Sequence, residues 1–128
     1  MPTTSLPHDR DPALELPLTP TVFSILVALA DGAKHGYAIM QVVAAESHGA
    51  TRMGPGTLYG SIDRMLRAEL IEESEERGEP GGHSERRRYY RLTHFGGRVL
   101  RAEIGRLEQT LALVRAKKLT LQNSFRSL

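Results

Sequence analysis

Residues 56–67, GTLYGSIDRMLR, form the most informative stretch of the chain. At about 100° per residue, its apolar side chains fall on one face of a helix: Leu58, Ile62, Met65 and Leu66. The opposite face is small, polar and cationic, with Thr57, Gly60, Arg64 and Arg67. The stretch therefore predicts a helix, beginning at Gly56-Thr57, that packs on a core and presents its other face outward.

Two helices are predicted before this stretch. Thr19 and Pro20 are typical of the N-cap and first position of a helix, and Asp31-Gly32 is typical of a helix end. A second helix is predicted from His35-Gly36 to about residues 47–49, followed by a turn-rich connector. The apolar positions of that second helix recur at helical spacing: Tyr37, Ile39, Met40, Val43 and Ala44.

A β-hairpin is predicted after the third helix. Residues 70–77 and 85–92 flank the Gly/Pro-rich stretch 78–84, which favours two strands joined by a loop. Three short helices followed by a hairpin are the element order of a winged helix-turn-helix.

The last helix is predicted to begin at Thr93, a good N-cap. Apolar residues then recur at intervals of 4, 3, 4 and 3, as in a helix seam: Leu100, Ile104, Leu107, Leu111 and Val114. One domain offers no partner for so long a stripe, whereas a second copy of the same helix would bury it. We therefore expect a homodimer.

The expected fold class is thus mainly α with a small β-hairpin, a winged helix-turn-helix, plus a long C-terminal dimerisation helix. Residues 1–17, which contain four prolines, are expected to be a flexible N-terminal arm. Residues 18–92 would form the DNA-binding domain, and residues 93–128 the dimerisation helix and tail.

The charge is distributed in blocks that the net value of +2 conceals. Residues 68–76 contain five acidic side chains and no basic one, whereas residues 77–91 and 92–128 carry net charges of +3 and +5. Fourteen of the seventeen cationic residues are Arg, whose planar group suits bidentate recognition of phosphate or guanine.

These features predict binding to double-stranded DNA. The third helix fits the major groove, and its first N–H groups suit a phosphate. The hairpin tip suits the flanking backbone or minor groove. The candidate DNA-binding residues are Gly56, Thr57, Tyr59, Gly60, Arg64, Arg67, Arg77, His83, Arg86 and Arg87.

Several of these residues have a second interpretation. Tyr59 lies at the flank of the helix, where a phosphate contact and packing against the hairpin are equally plausible. Strand alternation prevents all three residues of the run 86–88 from pointing the same way, so Arg88 is expected to pair with the acidic strand. Tyr89 and Tyr90 are expected to be sheet and core residues. The alternative function is a winged-helix protein-interaction module, which the acidic block supports.

Other function classes are disfavoured. The 128 residues suffice for one domain, and the absence of cysteine excludes disulfide frameworks and thiolate sites. The sequence lacks Gly-x-Ser-x-Gly, P-loop and dinucleotide motifs, and His35, His48, His83 and His94 lack the close spacing of metal ligands. We expect no enzyme, no catalytic residue, no metal and no cofactor, with His35 a structural residue.

A membrane location is also disfavoured. No apolar run approaches the roughly 20 residues that span a bilayer. Residues 1–17 carry three acids and no continuous apolar segment, unlike a secretory signal. We expect no membrane partner and a cytoplasmic location.

Residues 16–118 resemble the short members of the PadR family of bacterial transcriptional regulators. The resemblance rests on five motifs in order: Leu18-Thr19, His35-Gly36-Tyr37, Gly56-Thr57-Leu58-Tyr59, Leu70-Ile71-Glu72 and Arg88-Tyr89-Tyr90-Arg91-Leu92-Thr93. It implies a homodimeric winged-helix repressor whose C-terminal helix makes the dimer. It also implies release from DNA by a small-molecule effector in some members.

The chain departs from the family pattern at two positions. Glu69 stands where members commonly have Gly, which is expected to change how the third helix ends. Gly60 stands where they often have Pro, which is expected to loosen the first turn of that helix.

Overall fold

The structure is a computed structural model that describes residues 10–75 and 88–117. Its four helices are α1 (Pro20–Leu29), α2 (Gly36–Glu46), α3 (Pro55–Arg67) and α4 (His94–Ala116). Its three strands are β1 (Lys34–His35), β2 (Ile71–Ser74) and β3 (Tyr89–Leu92). The mainly helical winged-helix fold with a long C-terminal helix is therefore confirmed.

Three predicted helix starts are fixed by side-chain caps. The Thr19 hydroxyl accepts a hydrogen bond from the backbone N–H of Val22 at 3.2 Å, and Pro20 is the first residue of α1. The Thr93 hydroxyl accepts from the N–H of Gly96 at 2.8 Å. His35 Nδ1 accepts from the N–H of Ala38 at 3.1 Å, so His35 has the predicted structural role at the start of α2. Each cap pairs an N–H group that the helix itself leaves without a partner.

The sheet has three antiparallel strands in the order β1-β3-β2, one more strand than the predicted hairpin. In β1, Lys34 pairs with Tyr90 and His35 with Tyr89. Two residues are too few to show an alternating pattern, so this strand could not be predicted from its spacing. The pairing brings the beginning of α2 onto the hairpin.

A single apolar core lies between the helices and the sheet. The α3 face predicted from its spacing is buried at Leu58, Ile62 and Met65. Both Tyr89 and Tyr90 are buried, as expected. The remaining large core residues come from α1, α2, the hairpin and α4: Ile25, Leu26, Leu29, Ile39, Val43, Leu70, Ile71, Phe95, Val99 and Leu100.

Residues 10–17, the described part of the expected flexible arm, contain regular secondary structure. Residues Pro12–Glu15 form a 3-10 helix, which the Asp11 carboxylate caps at the N–H of Ala13. The backbone N–H of Leu18 then donates to Glu103 on α4 at 2.9 Å. This anchor lies 85 residues away in sequence, so local composition could not reveal it. We call residues 10–18 the N-terminal segment.

The third helix begins slightly earlier than predicted. Gly54 is its N-cap and Pro55 its first residue, a favoured place for proline because that position needs no N–H partner. The helix is continuous through Gly60, so the loosened first turn expected from that glycine is not seen in α3.

The C-terminus of α3 ends in the hydrogen-bond pattern of a Schellman motif. The N–H of Glu69 donates to the carbonyl of Leu66 at 3.0 Å, and that of Leu70 donates to Met65 at 2.9 Å. Glu69 has a φ of 62°, the left-handed conformation that glycine adopts without steric cost. The helix therefore ends in the backbone conformation typical of a C-terminal glycine, but the side chain of Glu69 strains this turn.

We expect Glu69→Gly to raise the free energy of unfolding by about 0.5–1 kcal/mol, because relief of left-handed strain outweighs the added freedom of glycine in the unfolded chain. Urea denaturation measures this change. The control is Glu69→Ala, which removes the carboxylate and its distant ion pair with Arg10 but keeps the Cβ atom. Equal effects of the two substitutions would mean that the strain is not the cause.

Candidate nucleic-acid interface

The first turn of α3 presents backbone N–H groups that the helix itself leaves without a partner. The first helical hydrogen bond of α3 runs from the N–H of Leu58 to the carbonyl of Gly54 at 3.0 Å. The N–H groups of Gly56 and Thr57 precede it, and both residues are exposed. Together with the helix dipole, such groups suit an anion such as a DNA phosphate.

Arg64 and Arg67 lie exposed on the outer side of α3 but differ in their partners. Arg67 forms an ion pair with Asp63 at 2.7 Å, one turn earlier. Arg64 donates to the hydroxyl of Ser61 at 3.2 Å, and within residues 10–75 and 88–117 it has no carboxylate partner within 4.0 Å. Arg64 thus keeps its positive charge available to a ligand, whereas Asp63 offsets that of Arg67.

Tyr59 packs against the beginning of α2. A Cβ atom built at Gly36 would lie 2.3 Å from the Tyr59 hydroxyl oxygen and 2.8 Å from ring carbon Cζ. The absence of a side chain at Gly36 therefore makes room for the tyrosine, which joins the His-Gly-Tyr and Gly-Thr-Leu-Tyr motifs in space. The Tyr59 side chain remains 48% exposed, so it also stays available to a ligand.

Two exposed residues near α3 were missed from the sequence. Tyr37 was counted among the apolar positions of α2, but it is 56% exposed, because the buried face of α2 passes through Ile39 and Val43. Tyr37 lies about 200° around the helix from Ile39, a signal that was present in the spacing. Arg52, exposed in the connector between α2 and α3, was overlooked among the glycines and proline of that turn.

The described part of the hairpin is held by ion pairs across its strands. Arg88 lies 3.5 Å from the carboxylate of Glu73, which confirms its predicted pairing with the acidic strand. Arg91 pairs with Glu72 at 2.8 Å, matching the strand register. The other predicted DNA contacts of the hairpin lie outside the described residues: Arg77, His83, Arg86 and Arg87.

The apolar stripe of α4 divides into a buried and an exposed part. Leu100 was predicted to face a second copy, but it is buried in the core of its own chain. Beyond it, large apolar side chains are 40–46% exposed at four successive stripe positions: Ile104, Leu107, Leu111 and Val114. This row is the apolar surface that the spacing predicted, and within the described residues nothing covers it. We call it the α4 stripe.

A buried carboxylate joins α4 to the N-terminal segment. Glu103 is only 2% exposed, and it accepts hydrogen bonds from the Leu18 N–H and from Nε of Arg106. The hydrogen bond from Arg106 lowers the pKa of the Glu103 carboxyl, against the opposing effect of burial. The lowered pKa means that the ionised form stabilises the fold above the usual carboxyl pKa and that this contribution is lost as the pH falls through the lowered value.

Residues 10–75 and 88–117 contain no group of three or more His, Cys, Asp or Glu side chains that could hold a metal ion. No helix among them is both long enough and apolar enough to cross a membrane.

Comparison with known proteins identifies the family. Residues 25–102 match the family described as "Transcriptional regulator PadR-like family". The chain belongs to this family. As a PadR-like transcriptional regulator with a winged-helix fold, it carries its outward α3 face and its hairpin on the scaffold that the family shares.

Solved structures show the same fold at low sequence identity. A PadR family transcription regulator from Clostridium difficile is 20% identical, with a TM-score of 0.63, covering 77% of this PadR-like chain and 97% of that one. Bacillus subtilis PadR in complex with operator DNA is 19% identical, with a TM-score of 0.57, covering 69% of this chain and 48% of that one.

A curated relative is more similar in sequence. A 37.1 kDa protein of a Streptomyces fradiae transposon is 40% identical over 79 residues, which are 62% of this chain and 20% of the relative. The PadR-like chain therefore spans about a fifth of the length of that relative.

Proposed function

We propose that this PadR-like regulator is a homodimeric repressor that binds a palindromic DNA operator through α3 and the hairpin. The observation that carries the proposal is the outer face of α3. Its first turn presents N–H donors, and Arg64 has no carboxylate partner within 4.0 Å among the described residues. This arrangement suits a polyanion better than it suits an apolar protein surface. Neither a catalytic nor a cofactor role is part of the proposal.

In the proposed complex, α3 lies in the major groove. The N–H groups of Gly56 and Thr57 bind a phosphate and fix the register, while Arg64 reaches a base edge. Tyr37 follows Gly36, against which Tyr59 of α3 packs, and Arg52 lies three residues before α3, so their exposed polar groups suit the neighbouring phosphates. The Bacillus subtilis structure was determined in complex with operator DNA, which supports DNA as the ligand of this fold.

The proposed dimer forms through the α4 stripe. A two-fold interface presents the same surface from both copies, so a single apolar row is self-complementary. Pairing the two α4 helices would place both α3 helices on one side of a duplex, about one helical turn apart. A regulator of this kind acts in the cytoplasm, where the chromosome of a bacterium lies.

A groove beside α3 supports a small-molecule effector as the final part of the proposal. It has a volume of about 310 Å³ and lies between the N-terminal segment and α3. Arg64 and Met65 form one wall, and Leu14 and Val22 belong to the other. A ligand in this groove would contact the same arginine that is proposed to reach DNA, so its binding would compete with operator recognition.

Salt dependence tests the DNA-binding proposal. We expect the affinity for duplex DNA to fall steeply with salt, with a log–log slope of about −0.9 for each phosphate that the protein neutralises. Fluorescence anisotropy with labelled random duplex at several salt concentrations gives the slope. A flat response, or no binding at low salt, would overturn the proposal and favour the protein-interaction module.

Arg64→Ala separates base recognition from general attraction to DNA. We expect it to weaken binding to an operator selected from a random duplex library by about 1–3 kcal/mol. Binding to random DNA should weaken less, because a base contact carries sequence information. Arg67→Ala is the matched control on the same helix, since Asp63 already offsets the charge of Arg67. Equal losses on both DNAs would make Arg64 a phosphate contact.

A further inference from the structure

Arg10 lies where the end of α3 meets the beginning of α4. Its Nη2 atom donates a hydrogen bond to the carbonyl of Ala68 at 2.8 Å. Ala68 is the C-cap residue of α3. The guanidinium carbon lies 4.2 Å from the ring centroid of Phe95, in the first turn of α4. One planar group thus touches both helices.

The chemistry of each contact suits an arginine. The last carbonyls of a helix lack helical partners and carry the negative end of its dipole, so a cation that donates to one of them is favourable. A guanidinium also stacks on an aromatic face, where its charge meets the negative face of the ring. Phe95 itself is buried, so the ring is held by the core and serves as a fixed support.

The position of the Arg10 guanidinium also carries an energetic cost. The Nε atom of Arg10 is buried and has no hydrogen-bond partner among the described residues. A buried donor without a partner opposes folding. The nearby carboxylate of Glu69, at 3.8 Å, is half exposed and adds little. The group is therefore placed where it bridges two helices, although that place leaves one of its donors unsatisfied.

The two bridged helices have different tasks under the proposed function, on which this inference rests. The α3 helix contacts the half-site, and the second half of α4 carries the stripe through which two copies pair. The angle between α3 and α4 therefore sets the distance between the two α3 helices of a dimer. An additional base pair between half-sites moves one half-site by about 3.4 Å and rotates it by about 35°.

We propose that Arg10 is a positioning residue that fixes α3 relative to α4 and thereby sets the half-site spacing that the dimer accepts. It touches no DNA in this role. The chain between Arg67 and His94 includes the hairpin, so the covalent connection alone does not fix the angle between α3 and α4. Non-covalent contacts must fix that angle. A second such contact, the hydrogen bond from the Thr93 N–H to the Leu70 carbonyl at 3.1 Å, acts at the same junction.

The test compares the spacing preference of three full-length proteins. Selection from a random duplex library with the wild-type protein gives the half-site and its preferred spacing. Binding is then measured to that operator and to versions with one base pair inserted or removed between half-sites. The variants are Arg10→Ala and the control Ile39→Val, which loosens the core at a fully buried position of α2 away from the junction.

We expect the wild type and Ile39→Val to lose about tenfold or more in affinity on the altered spacings. Arg10→Ala should lose only about threefold or less, while it remains a dimer and binds an isolated half-site as the wild type does. We call the affinity for the selected operator divided by the affinity for an altered spacing the spacing ratio. A merely structural role would lower the melting temperature of Arg10→Ala but leave its spacing ratio at the value of Ile39→Val. That result would overturn the proposal.

If Arg10→Ala does not fold, Arg10→Lys takes its place. Lysine keeps a donor for the Ala68 carbonyl but lacks the planar group over Phe95, so we expect a spacing ratio between those of the wild type and a fully relaxed dimer. A ratio equal to that of Ile39→Val again overturns the role of Arg10. Failure of the wild type to select any DNA would overturn the proposed function together with this inference, and so is distinguishable from failure of the inference alone.

Discussion

Gly96→Ala is expected to destabilise the protein by about 3 kcal/mol or more, a large fraction of the stability of a domain of this size. A Cβ atom at Gly96 would lie 1.9 Å from the carbonyl oxygen of Leu70 and 2.8 Å from its carbonyl carbon. These are backbone atoms held by the end of α3 on one side and by the N–H of Thr93 on the other, so they cannot move aside. The new methyl group would force α4 away from α3.

A neighbouring glycine provides the control for this expectation. A Cβ atom at Gly97 would meet nothing within 4 Å, and Gly97 lies in the same turn of α4. We expect Gly97→Ala to stabilise the protein by about 0.5–1 kcal/mol, because alanine is the better helix former. Urea denaturation followed by circular dichroism measures both variants. Similar stabilities of the two would mean that α3 and α4 do not approach as closely at Gly96.

The second large effect is expected from the double variant Leu107→Glu/Leu111→Glu. Both side chains are at least 40% exposed in the single chain, so their replacement should leave its fold intact. In the proposed dimer they would bring four carboxylates into one apolar interface, which should separate the copies. We expect a mass of one 14.2 kDa chain by light scattering, and binding to a palindromic operator weakened by about 100-fold or more.

Leu113→Glu is the matched control on the same helix. Leu113 is 56% exposed, but it lies about 140° away from the centre of the α4 stripe. This variant should remain a dimer and keep its operator affinity. A double variant that stays dimeric, or a Leu113→Glu variant that dissociates equally, would place the dimer contact elsewhere.

The parts of the fold that were predicted correctly depend on local signals. Thr19 and Thr93 cap the helices that begin directly after them, and each accepts from an N–H group three residues later. Their role can therefore be predicted from four neighbouring positions. The buried face of α3 follows from the spacing of its own apolar residues in the same way. Arg88 could be assigned to the acidic strand because alternation and charge complementarity act within one hairpin.

The parts that were missed depend on contacts between distant residues. The N-terminal segment is ordered by Ala68, Phe95 and Glu103, which no local composition indicates. Leu100 has the same helical spacing as the α4 stripe, so spacing alone assigns it to that surface. Only its burial in the core shows that it faces inward. For the proposed DNA contacts, sequence reasoning named Arg64 and overlooked Arg52, because a single arginine within a turn has no periodicity to reveal it.

The continuity of α4 has a consequence for how members of such a family can diverge. One unbroken helix begins in the core at Phe95 and ends beyond Val114, about 28 Å further along its axis. It acts as a lever, since a tilt of about 5° at the core end displaces the far end by more than 2 Å. In the proposed dimer, substitutions along the exposed half would therefore change how two copies are held apart while α3 keeps the same sequence. Under that proposal, the bases that are read and the distance between them would evolve separately, because different residues would determine them.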